Sequence, residues 1–69
     1  MSQDIRAKLA VNVYNLRIQK GLSREELSLL LGVDNSYISK LERKSINITI
    51  DKMSSLAKIL GVEVYKLLI

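Results

Sequence analysis

The sequence predicts an all-α domain of five short helices. No proline occurs anywhere in the 69 residues, and aliphatic residues recur at three- and four-residue spacings between glycines at Gly21, Gly32 and Gly61. That is the punctuation of helices joined by tight turns. The chain also has no cysteine and no histidine, so neither a disulfide framework nor the usual zinc ligands can hold it together. A chain this short buries only about 60% of the surface its unfolded form exposes. Its stability must come from local helix packing, to which a second subunit can add.

In the first segment Ile5, Leu9, Val13 and Leu16 fall on one stripe, which predicts a helix from Asp4 to Lys20 ended by a left-handed residue at Gly21. Ser23-Arg24-Glu25-Glu26 is a capping box, so a second helix starts there and stops at Gly32. Asp34 is the expected N-cap of a third helix, Asn35 to about Lys44, whose apolar pair is Ile38 and Leu41. The polarity alternates over Ser45-Ile46-Asn47-Ile48, but one short strand would have nothing to pair with, and an ordered loop is expected. Thr49 caps a fourth helix, Ile50 to Leu60, with Met53, Leu56, Ala57 and Leu60 inward and Gly61 closing it. A last helix runs from about Glu63 to Leu68.

Composition excludes several classes of function. Without histidine, cysteine or a glycine-rich phosphate loop, the chain offers no nucleophile–base pair. No catalytic residue, metal, cofactor or small-molecule ligand is expected. Met1–Lys8 is polar and charged, no run of about 18 apolar residues exists, and no signal-peptide pattern is present; a cytoplasmic location with no membrane partner is expected. Eleven Lys and Arg against seven Asp and Glu give a net charge of +4, a lean towards polyanions that position has to decide.

Two short helices joined by a glycine-containing turn fit a helix-turn-helix, in which the second of the pair enters the major groove of DNA. At about 100° per residue, Asn35, Ser36, Ser39, Lys40 and Arg43 fall within an arc of roughly 140°, opposite Ile38 and Leu41. Asparagine and serine suit base edges, and Lys40 can reach a guanine or a phosphate. Any surface helix has a polar face, but two serines and an asparagine are poor helix formers, and long Glu and Lys would serve a purely solvated face better. No acidic residue falls inside the arc. Tyr37, at its edge, can stack on a sugar, pack in the core or anchor another protein.

The ordered set Leu16-Arg17-Ile18-Gln19-Lys20-Gly21-Leu22-Ser23-Arg24-Glu25-Glu26-Leu27, Gly32-Val33, Tyr37-Ile38-Ser39, Leu41-Glu42-Arg43 and Leu56-Ala57-Lys58-Ile59-Leu60-Gly61-Val62 resembles the Cro and phage-repressor type (XRE) helix-turn-helix family. The resemblance spans about Leu9 to Leu68 and implies a five-helix lambda-repressor-like DNA-binding domain with its helix-turn-helix at helices two and three. The segment from Asp34 to Ile50 is most similar to the controller proteins of restriction–modification systems. They bind operator half-sites on double-stranded DNA as homodimers and time expression of a restriction enzyme. Phage and prophage repressors share most of the pattern, and antitoxin-like regulators share the fold. A protein-interaction module on the same fold is the rival reading, and an apolar anchor on the outward face would mark it.

The resemblance implies base contacts from Asn35, Ser36, Ser39 and Lys40, and phosphate contacts from Arg24, Tyr37, Arg43, Lys44 and Asn47. It also implies a structural ion pair between Arg17 and Glu42. Three positions depart from the family pattern: Arg24 stands where glutamine is frequent, Asn35 where many controllers carry arginine, and Ser28 where alanine is usual. The Ser28 hydroxyl therefore needs a partner. Near the C-terminus Val62, Val64, Tyr65, Leu68 and Ile69, with Leu67, supply more apolar surface than one short helix needs. That surface either folds back on helix one or meets a second subunit, and the resemblance favours the dimer.

Overall fold

The computed structural model describes residues 5–69. Its order is α1 (Ile5–Gln19), α2 (Arg24–Leu31), α3 (Tyr37–Glu42), α4 (Ile50–Leu60) and a single 3-10 turn over Val64–Leu67. The all-α class stands, but with four α-helices instead of five. The segment expected as the fifth helix, about Glu63 to Leu68, does not form an α-helix. The last segment instead makes three-residue bonds, Lys66 N–H to the Glu63 carbonyl and Leu68 N–H to the Tyr65 carbonyl, each 3.0 Å. That one turn is enough to bring Leu67 fully into the core. The Asn12 amide of α1 then donates to the Leu67 carbonyl at 3.0 Å.

Local sequence accounts for the helix ends. At α2 the Ser23 hydroxyl accepts from Glu26 N–H at 2.9 Å, and the Glu26 carboxylate accepts from Ser23 N–H at 2.7 Å. Thr49 caps α4 through Lys52 N–H. At their far ends α1, α2 and α4 each close on a glycine with φ between 72° and 78°, the left-handed conformation that lets the glycine's own amide and the next one turn back onto the last carbonyls. The helix predicted from Asp4 begins among the described residues at Ile5; Asp4 itself lies outside them.

The core is one cluster. Leu9 and Val13 of α1, Leu27 and Leu31 of α2, Ile38 and Leu41 of α3, and Leu56, Ala57 and Leu60 of α4 converge with Leu67. Each large aliphatic side chain so buried stabilises the fold by about 1.5–3 kcal/mol. α3 packs against both α1 and α2, while α4 lies across α2 and the 3-10 turn. Ile5, expected on the inward stripe, is 53% exposed, because it stands one turn beyond the last residue α1 packs inward, Leu9.

Candidate nucleic-acid interface

α3 begins two residues later than its sequence pattern predicts and ends at Glu42. The cause of the late start is local. Asp34 does not cap the helix: its carboxylate accepts from Ser36 N–H at 3.1 Å and from the Ser36 hydroxyl, a side-chain turn that competes with helix. Tyr37 N–H donates to the Asp34 carbonyl at 2.9 Å, so Asn35 and Ser36 form a turn that leads into α3. The same bonds from Ser36 hold the Asp34 carboxyl below its ordinary value. Asp34 therefore borders the polar arc, although the arc itself contains no acid.

At its other end α3 closes without a glycine. Lys44 N–H donates to the Leu41 carbonyl at 3.0 Å and Ser45 N–H to the Lys40 carbonyl at 2.9 Å, the same double turn-back as at the glycines. The left-handed residue is Lys44, φ 63°. That conformation costs a non-glycine residue about 1–2 kcal/mol. The Ser45 hydroxyl adds a bond to the Lys40 carbonyl at 3.0 Å.

Between these ends the helix is held from below. Ile38 and Leu41 are buried, and so is Ser28 of α2, whose oxygen accepts from Ile38 N–H at 3.1 Å. Arg17 of α1 reaches Glu42 with both prongs, Nε to Oε2 at 2.8 Å and Nη2 to Oε1 at 3.2 Å. Its Nη1 donates to the Leu22 carbonyl at 2.9 Å. The guanidinium also lies 5.3 Å from the Tyr14 ring centroid. Among the described residues no buried side-chain nitrogen or oxygen lacks a hydrogen-bond partner.

The outward face is polar. Asn35 and Lys40 are exposed, Ser36 and Ser39 are half-buried, and Arg43 and Lys44 are exposed just past the helix. Arg43 donates to the Ser39 hydroxyl at 3.2 Å. Tyr37 is half-buried against the core cluster, and burial raises the pKa of its phenol. Arg24 opens α2 and Asn47 lies in the loop before α4, both exposed. Asn35, Ser36, Ser39 and Lys40 thus lie on one short stretch of chain, whereas Arg24 and Asn47 come from separate elements.

Of the C-terminal residues, Val64, Tyr65 and Ile69 are exposed, Val62 and Leu68 half-buried. Ile69 borders a shallow groove with Ala7, Lys8, Val11 and Asn12 of α1. Sequence reasoning misses two contributors, Tyr14 on Arg17 and Asn12 on the 3-10 turn, whereas the Ser28 hydroxyl, singled out in the sequence as needing a partner, accepts the Ile38 amide. Of the three only Ser28 carries a signal, a hydroxyl at a helix-packing position. Among the described residues there is no group of three metal-ligating side chains, and no helix is long and apolar enough to cross a membrane.

A short helix seated by buried contacts, with its polar face outward and cations at its end, is the architecture of a helix-turn-helix. Residues 13–67 match the Helix-turn-helix family model, and the chain belongs to this family, in its XRE-type branch. It is 45% identical over 67 residues to a hypothetical transcription factor of Neisseria meningitidis, covering 97% of this chain and 63% of the relative's length. The crystal structure of that Neisseria factor superposes with a TM-score of 0.93, over 97% of this chain and 77% of the other. Control protein C.SmaI of Serratia marcescens is 42% identical, over 94% of this chain and 77% of its own. The restriction–modification controller C.AhdI of Aeromonas hydrophila is 35% identical, with a TM-score of 0.83 over 90% of this chain and 94% of that one.

Proposed function

We propose that the chain is a sequence-specific, DNA-binding transcriptional regulator of the restriction–modification control type, acting on operator half-sites as a homodimer. The observation that carries this reading is the seating of α3. Its buried side is fixed by Ile38, Leu41, Ser28 and Glu42, and what remains outward is Asn35, Ser36, Ser39 and Lys40. The control proteins among its relatives support the particular class.

In this reading Asn35 bonds an adenine edge with its amide, and Lys40 donates to guanine or phosphate. The Ser36 hydroxyl proton is already committed to Asp34, so its oxygen meets a base as an acceptor. Ser39 accepts from Arg43, and Arg43 contacts the phosphate backbone. Arg24, Tyr37, Lys44 and Asn47 complete the backbone contacts, which set register and not sequence. The dimer is formed through Val62, Val64, Tyr65, Leu68 and Ile69, and sets two α3 helices about 34–36 Å apart.

Footprinting on the DNA directly upstream of its own gene tests this reading. Two protected half-sites about one helical turn apart are expected, and a restriction endonuclease gene beside it would identify the controlled enzyme. Protection of a single unpaired site would overturn the dimer. Absence of protection at any concentration would overturn DNA binding and favour a protein-interaction module.

A further inference from the structure

α3 has six residues, about 9 Å of helix, too little to be stable by itself. Its N-cap residue, Ser36, makes no side-chain cap bond, because its hydroxyl is turned onto Asp34. The Ile38 amide in the first turn therefore looks outside the helix for an acceptor and finds the Ser28 oxygen of α2, ten positions earlier in the chain. Both residues have 0% exposure, so water cannot take the place of either partner. At the other end Glu42 is tied to Arg17 of α1.

We infer that Ser28 is a positioning residue: by accepting the Ile38 amide it fixes how the start of α3 sits on α2, and thereby sets how sharply the chain discriminates between DNA sequences. This rests on the DNA-binding reading above. The apolar contacts of Ile38 and Leu41 draw α3 inward but are non-directional. The two polar attachments, one at each end, define its tilt. Phosphate contacts tolerate a small tilt because long cationic side chains follow the backbone. Base-edge hydrogen bonds do not, since they weaken steeply with distance and angle. Removing the Ser28 bond therefore falls on specificity more than on total affinity.

The test compares Ser28→Ala with the wild type and with Ile59→Ala, a destabilising change in α4 away from α3. Binding is measured to a duplex selected by the wild type from a random pool and to a scrambled duplex, at low salt and a temperature where each protein is folded. Ser28→Ala is expected to lower the selected-to-scrambled affinity ratio about tenfold, the size of one net buried hydrogen bond, with scrambled-duplex affinity unchanged. Its Ile38 amide should exchange faster and its α3 residual dipolar couplings should shift. Ile59→Ala should keep the ratio. An unchanged ratio in folded Ser28→Ala, or an Ile38 amide as protected as before, overturns the inference. If Ser28→Ala does not fold, the nearly isosteric Ser28→Cys is judged by the same measurements. If the wild type selects no duplex, the DNA-binding reading has failed, and the Ile38 amide and α3 couplings still decide whether Ser28 seats the helix.

Discussion

A buried guanidinium is tolerated only when its charge and its donors are occupied. Arg17 is 7% exposed, and each of its three nitrogens has an acceptor, two on Glu42 and one on the Leu22 carbonyl. Arg17→Met leaves the Glu42 carboxylate uncompensated, and a loss of about 3–5 kcal/mol is expected in urea unfolding. Arg17→Met with Glu42→Met should recover much of that loss, since an apolar pair of similar volume carries no stranded charge. At Lys44 the proposed phosphate contact is set against backbone stability. Lys44→Gly relieves the left-handed backbone and is expected to stabilise the domain by about 1 kcal/mol. It should also weaken DNA binding and flatten the salt slope by about 0.9 for each phosphate left without its cation. At Asp34 the folded carboxyl titrates below its ordinary value because Ser36 donates to it. Its contribution is therefore complete above the ordinary carboxylate value and disappears as pH falls through the lowered one. In an NMR titration, Ser36→Ala should return Asp34 towards the ordinary range.

At the level of the element, the final turn is decided by one residue. Leu67 is fully buried while its neighbours Tyr65 and Ile69 are exposed. Leu67→Ala should cost about 2–5 kcal/mol, and Ile69→Ser should stay within about 0.5 kcal/mol for the monomer, both read by thermal or urea unfolding. The same contrast explains which elements are legible in the sequence. Three of the four α-helices end at a glycine, and there the predicted and observed ends agree within a residue. The fourth is closed by Lys44, which has no such signature, so the sequence pattern runs α3 two residues too far at that end. Its start is equally ambiguous, because Asp34 is as good a residue for a side-chain turn as for a helix cap, and the Ser36 beside it takes the carboxylate into the turn. The polar face of α3 follows from spacing, since Ile38 and Leu41 dictate what points outward. The Ser28 bond does not, because it joins residues ten apart through the packing of two helices.

For the whole molecule the remaining questions are association and charge. The groove formed by Ile69 with α1 and the exposed Val64 and Tyr65 give the proposed dimer an apolar surface. Sedimentation of the wild type at micromolar concentration should show a dimer, and Tyr65→Glu with Ile69→Ser should shift it to a folded monomer. A wild type that stays monomeric on operator DNA would defeat the proposal. With six to ten phosphate contacts per dimer, affinity should fall about 10³- to 10⁵-fold between 50 and 200 mM salt; flat binding would point to another ligand. The residues that seat α3, namely Ser28, Ile38, Leu41, Glu42 and Arg17, are a different set from Asn35, Ser36, Ser39 and Lys40, which face outward. Under the proposed reading, that separation makes Asn35, Ser39 and Lys40 an exchangeable cassette, open to rewriting for a new target sequence while the mounting beneath it is left alone.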